Sequence, residues 1–415
     1  MGEVELGLFT AALGLSAPWR VTRTEFDGTQ LDLWLDFPRG SRFPCPAKDC
    51  VQGACALHDT ADKTWRHMDF FQHKAFLHAR LPRVRCPEHG VRQIEVSWAR
   101  PGSGFSMLFE AMLLILAKAM PVAKVAESAR EHDTRIWRVL EHHVRAARDQ
   151  EDFSAVRKVG MDETSARKGH DYVSIFADME LGRVLFATKG RDSATVARFA
   201  TDLTAHGGDP DSVTDTSSDM STAFISGIGA HLPNATMTFD RFHLAAKLSE
   251  AVDQVRRAEV TTRPELKHTR WLWLKNHARL SAKQQGELHR LMRPSAKLAT
   301  ARALRWREDF QAFYDQDPSY APEYLRRWCS GAKRSRLKPI KDFVALVERH
   351  REGILAWHES HLANGLLEGI NSLVQAAKAR ARGYRNKNKM ITIIYLTAAK
   401  LTLPTLTNPT PAYMT

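Results

Sequence analysis

The chain has 415 residues, 43% of them hydrophobic, which excludes a disordered polypeptide and leaves room for about two to four domains with their own cores. Its formal net charge of +13 favours a polyanionic partner, nucleic acid before an anionic membrane surface. The longest apolar stretch, Met107 to Met120, contains Glu110 and Lys118 and is too short to span a bilayer, and the opening MGEVELGLFT lacks a secretory pattern, so a cytoplasmic protein is expected.

Residues 1–100 read as a small β segment that binds zinc. Alternating runs such as Leu31-Asp-Leu-Trp-Leu-Asp-Phe37 predict short strands between about residues 17 and 98. Four of the five Cys lie between Cys45 and Cys86, close to His58 and His89. In an intracellular chain such clustering points to a metal before it points to disulfides. Cys45 with Cys50, and Cys86 with His89 about 36 residues further on, make two ligand pairs for one structural, tetrahedral Zn²⁺. Cys55 and His58 are competitors for the Cys50 position. Cys329, beside Trp328, reads as a packing residue.

The break Arg100-Pro-Gly-Ser-Gly104 opens residues 101–150, read as three helices. The first spans Phe105 to Lys118 and the second Val122 to Arg130. The third is capped at Asp133 or Thr134 and runs through Ile136, Trp137, Leu140 and Val144. Two short helices joined by a tight polar turn predict a helix-turn-helix. Its last helix would enter the major groove with Thr134, Arg135 and Arg138 outward.

From Val156 strands alternate with helices. Strands are expected at Val156–Met161, Tyr172–Ala177, Arg183–Thr188, Ser212–Asp215 and Ala235–Phe239, giving the order β-β-β-α-β-α-β-α. This predicts a mixed α/β fold, one sheet with helices on its faces, over residues 151–260. Residues 261–358 read as a helical insertion rich in Trp (Trp271, Trp273, Trp306, Trp328, Trp357). These indoles read as core, with Trp306 or Trp328 the candidates for stacking an unpaired base. Residues 359–415 hold a basic helix around Glu368, an apolar helix from Met390 to about Leu403, and a tail.

Asp162 ends the first strand of this region and Asp219 follows the fourth. Two Asp at the ends of neighbouring strands converge on one point. Phosphoryl transfer on DNA needs such convergence, because hard oxygen ligands must hold two divalent ions about 4 Å apart. Glu368 is the candidate third carboxylate, on a helical face with Asn364 and Asn371, while Lys378, Arg380 and Arg382 continue that segment toward the DNA backbone. Asp178, Asp215 and Asp240 are rival ligands, Glu163 adjoins the site, and His243 either contacts DNA or orients a carboxylate. Arg256-Arg257 and the bases from Arg380 to Lys389 are further candidates for phosphate contact.

The strings Met161-Asp-Glu-Thr-Ser165 and Lys168-Gly-His-Asp-Tyr172 resemble the first motif of the DDE transposases of bacterial insertion sequences, most closely the ISL3 family. Ser218-Asp-Met-Ser221 and Phe239-Asp-Arg-Phe-His243 resemble its middle motifs, and Asn364-Gly-Leu-Leu-Glu-Gly-Ile-Asn371 with Gly383-Tyr-Arg-Asn386 its last. The resemblance spans roughly residues 40–400. It implies an RNase H-like catalytic core with Asp162, Asp219 and Glu368 as its Mg²⁺-binding triad, and a helical insertion before the Glu helix. The expected partners are double-stranded DNA, as element ends and target, and a second copy of the chain, since two ends must be paired. The competing expectations are a non-catalytic DNA-binding regulator and a nuclease that cleaves without joining.

Overall fold

The computed structural model describes residues 3–167, 171–362 and 365–409. Lys168, Gly169 and His170 of the first motif, and Asn364 of the last, lie outside the described residues. The chain divides into two compact units, Met1–Gln150 with Leu401–Thr415, and Glu151–Lys400.

The first unit begins with helix α1 (Glu3–Ala12) and a six-stranded sheet. Its strands are β1 (Arg20–Phe26), β2 (Gln30–Asp36), β3 (Phe43–Pro44), β4 (Ala54–Phe70), β5 (His73–Cys86) and β6 (Gly90–Gln93). Not all are short. The hairpin β4–β5 is long because β5 alternates buried Ala75, Leu77, Ala79 and Leu81 with outward Lys74, Phe76, His78 and Arg80. Trp65 and Trp98 meet edge to face at 5.7 Å beneath the sheet.

Three helices follow, α2 (Met107–Ala119), α3 (Val122–Ala129) and α4 (Asp133–Arg148). Arg130, in the left-handed conformation, ends α3, and the ring of His132 caps α4 by accepting from Thr134 N. The cap is therefore one residue before the positions expected from sequence. The helices are not a separate body. Arg66 N donates to Gly104 O and Ser106 N to Arg66 O, both at 2.9 Å, so β4 and the start of α2 are stitched together.

The second unit carries a five-stranded sheet ordered β11-β10-β7-β8-β9, built from β7 (Lys158–Arg167), β8 (Asp171–Asp178), β9 (Arg183–Lys189), β10 (Asp215–Ser218) and β11 (Thr236–Phe239). β7, β8 and β9 form an antiparallel meander, while β10 pairs parallel to both β7 and β11. Helices α5 (Ala194–Ala205) and α6 (Thr222–His231) cover one face, burying Val196, Phe199 and Phe224 against Val159, Met161 and Phe176. α7 (Arg241–Glu259) then leads into the helices α8 (Arg270–Leu274), α9 (Ala282–Met292), α10 (Ala299–Gln311), α11 (Ala321–Lys333), α12 (Lys338–Arg349), α13 (Arg351–Leu355) and α14 (Trp357–Ser360). α15 (Gly365–Arg380) lies against β7 and α16 (Lys387–Ala398) against β9.

Two strands differ from their expected bounds. β7 runs on through Asp162, because its second half pairs with β8 as a hairpin. β10 lies at Asp215–Ser218, and Pro210–Ser212 is instead a single 3₁₀ turn held by the Asp209 cap. The Trp of the insertion are mostly core: Trp273 and Trp328 are buried, and Trp306 meets Trp328 at 6.1 Å and lies over Gly331. Burial takes Trp328 out of the stacking role considered for it, while Trp306 is only partly buried and Trp271 is exposed. Among the described residues no helix is long and apolar enough to cross a membrane.

Candidate active site and metal centre

Strand register brings the acidic residues together. Ser217 pairs with Gly160, and Ser218 with Phe239. Continuing both registers past the end of β10 sets Asp219 level with Asp162 on one side and with Asp240 on the other. Asp162 in β7, and Asp219 and Asp240 just past the ends of β10 and β11, thus lie at one level. Asp215 and Asp178 do not join them. Asp215 pairs with Lys158 at the far end of β10, and Asp178 caps the β8–β9 turn by accepting from Glu180 N and Leu181 N at 2.8 and 3.0 Å.

The charges at this level act on one another. Burial pushes the Asp162 carboxyl above its ordinary range, and the charges of Asp219 and Asp240 push the same way. Glu163 is half-buried and is pushed up to about 7, by burial first and then by Asp219. Asp240 is 2% exposed, caps α7 through Phe242 N and receives the His243 ring at 2.8 Å. That bond raises the His243 pKa. Asp219 Oδ1 accepts from Ser221 N at 2.9 Å, which fixes the turn into α6.

α15 lies along the outer face of β7, and its contacts are regular. Leu367 packs over Gly160, Asn371 donates to Asp162, Gln375 to Thr164 Oγ1 at 2.7 Å, and Lys378 to Ser165 O at 2.6 Å. Glu368 lies one turn before Asn371 and two before Gln375, at the flank of the strand-facing side of the helix, and is exposed. The groups whose charge reaches Asp162 are Asp219, Asp240 and His243, and Glu368 is not one of them. Asn371 Oδ1 is buried without a hydrogen-bond partner beside Asp162, a polar cost that an incoming cation or water would relieve. A donor set made of carboxylates, crowded enough to raise two of their pKa values, fits a hard divalent cation.

The Cys/His centre in the first unit is compact. Cys45, Cys50, Cys86 and His89 place their ligand atoms within 4.8 Å of one another. Cys50 Sγ lies 3.6 Å from Cys86 Sγ, and His89 Nδ1 lies 3.8 Å from Cys45 Sγ and 3.6 Å from Cys86 Sγ. A tetrahedron with Zn–S bonds of about 2.3 Å has edges of roughly 3.8 Å, so the set fits zinc. Asp49 sits 3.4 Å from His89 Nε2, the outer partner that fixes a ligating imidazole. Cys55 instead donates to Gly53 O, and His58 pairs with Arg85, so neither competitor joins the four.

The residues expected at DNA divide by geometry. Thr134 and Arg138 are exposed on α4. The Arg135 guanidinium is engaged internally, ion-paired to Glu131 and 4.1 Å above the Phe105 ring. Lys378 is spent on Ser165 O, and Arg256 is buried against Asp253 at 2.7 Å. Arg380 and Arg382 lie exposed at the end of α15.

Residues 159–394 match the ISL3 transposase family, a span that takes in Asp162, Asp219 and Glu368. The chain belongs to the ISL3 family of transposases. Residues 94–144 of this transposase match the helix-turn-helix domain of transposase family ISL3, and residues 42–89 the zinc-finger of transposases IS204/IS1001/IS1096/IS1165. It is 27% identical over 379 residues to the "Transposase for insertion sequence element IS1557" of Mycobacterium tuberculosis, covering 82% of this chain and 83% of that one. It is also 27% identical over 381 residues to the "Transposase for insertion sequence element IS1001" of Bordetella parapertussis, covering 89% and 91%. Sequence reasoning held Asp240 only as a rival ligand and left Gly160 unremarked. The register that makes both matter is a pairing property and has no one-dimensional signature.

Proposed function

We propose that this ISL3-family transposase cleaves the ends of its element and joins them to target DNA at a centre formed by Asp162, Asp219 and Glu368. The level set by Asp162 and Asp219 on adjacent strands carries the reading. The order β11-β10-β7-β8-β9, with a three-strand meander and two parallel strands, supports an RNase H-like core. Its parts would be residues 151–260 and 359 to about 400, with 261–358 as the insertion. Residues 1–100 and 101–150 are the zinc-binding and helix-turn-helix segments that bind the terminal inverted repeats.

Asp162, Asp219 and Glu368 would hold two Mg²⁺ ions, which supply an activated oxygen nucleophile and stabilise the leaving oxygen of an in-line transfer. Asn371 holds the Asp162 carboxylate in place from α15. Asp240 turns the His243 ring toward the acidic centre, where its raised pKa favours a positive charge beside three carboxylates. Water opens the element end, and the freed 3′-OH then attacks the target strand. No Ser, Tyr or Cys nucleophile is required. Thr134 and Arg138 would read the major groove, with Arg380 and Arg382 on the backbone. Two copies would pair the two ends, and Cys45, Cys50, Cys86 and His89 would hold a structural Zn²⁺.

The test is Mg²⁺-dependent cleavage and joining of labelled element-end DNA by the wild type and Asp219→Ala, beside a gel shift on the same DNA. Joined products from the wild type, and none from a variant that still binds, are expected. Binding without cleavage by either protein would leave a DNA-binding regulator, and cleavage without joining a nuclease.

A further inference from the structure

A cleft of about 570 Å³ opens beside Asp219, and its walls differ in charge. Glu163 and Asp219 line it from the strand ends. Lys247 of α7, Arg349 and His350 at the end of α12, and Arg191 of the loop after β9 line it from elsewhere. Arg191, Lys247 and Arg349 are exposed, and among the described residues none of them forms an ion pair. Two neighbouring bases behave otherwise: Lys333 pairs with Glu348 at 2.7 Å and Lys338 with Asp342 at 2.6 Å. Glu348, the acid next to Arg349 in sequence, is thus already taken, and Arg349 is left with its charge facing the cleft. Arg191 is carried over the Tyr172 ring at 4.8 Å, and its charge reaches Glu163.

Surface bases are most often only solvated, but three unpaired cations from distant parts of the chain around one concavity are a built feature. Their position answers an electrostatic problem. A DNA strand brings one negative charge per nucleotide to a centre that is itself made of carboxylates. The phosphate being cut can be accommodated by the cations of the centre. The phosphates on either side of it need neutralising by something else.

We propose that Arg191, Lys247 and Arg349 clamp the phosphates that flank the scissile one, so that the insertion, through Arg349, is a working wall of the active cleft. This rests on the acidic centre's being the site of cleavage. Contacts from cationic side chains to phosphate are each worth about 10- to 100-fold, which is about 1.4–2.8 kcal/mol. The clamp positions the strand and does not enter the chemistry, so its loss should lower the cleavage rate and leave the metal requirement unchanged.

The experiment uses the full chain and synthetic element ends in which one phosphate at a time is replaced by a neutral methylphosphonate. Each is read twice, as binding in Ca²⁺ and as single-turnover cleavage in Mg²⁺. A second series puts the neutral linkage in the target strand, to tell which DNA the cleft holds. For the wild type, neutralising one or two positions next to the cut should cost about 10-fold. Lys247→Gln and Arg349→Gln should each cost about 10-fold on unmodified DNA and together lose sensitivity at those positions, while Arg349→Lys retains most of it. Penalties that multiply independently at every position, or variants indistinguishable from the wild type, would overturn the clamp. If the wild type cuts no end, the cleavage reading fails, and the Ca²⁺ arm still decides whether these side chains meet those phosphates.

Discussion

Gly160 sits two residues before Asp162 and shows how much of the site depends on a side chain that is not there. A Cβ at this position would come within 2.3 Å of Met179 Sδ and 2.8 Å of Leu367 Cδ1. A side chain here would have to displace the side chains of Met179 and of Leu367, where α15 crosses the strand, and the close approach lets Asn371 reach Asp162. Gly160→Val should force the helix outward, destabilising the second unit by about 1–3 kcal/mol, as overpacking does elsewhere. Strand transfer should fall at least about tenfold, while gel shifts of element ends hold. A variant that transfers strands normally would mean that α15 need not dock closely for catalysis. Asp162 and Asp219 could be singled out from sequence because acids at strand ends are chemically conspicuous, and Glu368 entered as a candidate from its helical motif. Lys247 and Arg349 could not, since an unpaired surface base looks the same in sequence whether it faces a cleft or open water.

At the scale of elements, visibility followed hydrophobicity. β8 and β9 carry apolar runs and lay close to where they were expected, whereas β7 ran on past its expected end at Met161. β10 is Asp-Thr-Ser-Ser, fully polar, yet Thr216, Ser217 and Ser218 are completely buried between β7 and β11. Its neighbours dictate that strand, so its bounds were misread by pattern. The Cys/His cluster was legible for the opposite reason, because ligand chemistry and turn spacing are local. A metal held by its four side chains would tie the β3–β4 loop to the turn between β5 and β6. Stripping the metal with a strong chelator should therefore free residues 43–55 and 86–93 to hydrogen exchange, raising their rates at least about tenfold. Leu77, Ala79 and Leu81, buried in the middle of β5, should stay protected. Loss of protection throughout β4 and β5 would instead make the metal a condition for folding the whole sheet. End binding should weaken in either case.

The whole molecule has two units with separate cores, and their titrations oppose each other. In the first, burial holds His67 down to about 4, and burial likewise holds His142 down to about 4. An unfolded chain binds those protons near 6.5, so between pH 6.5 and 4 unfolding takes up protons and this unit loses stability as pH falls. In the second, burial and neighbouring carboxylates raise Glu163 to about 7 and also raise Asp162, and the bond to Asp240 raises His243. Here the folded state binds the extra protons, so stability grows as pH falls from above 7 toward the ordinary carboxylate range. Burial depresses His350 and His358 in the insertion, which trims that gain. Calorimetry without added Mg²⁺ should accordingly show two transitions that move in opposite directions between pH 7.5 and 5.5, the first unit downward and the second upward. Glu163→Gln should remove much of the upward shift and leave the downward one alone. Adding Mg²⁺ should raise the second transition most at pH 7.5, because a cation takes the place of the protons that relieve the crowded carboxylates. Transitions that move together, or a second transition indifferent to Mg²⁺ at both pH values, would mean that the acidic level is not where the metal binds.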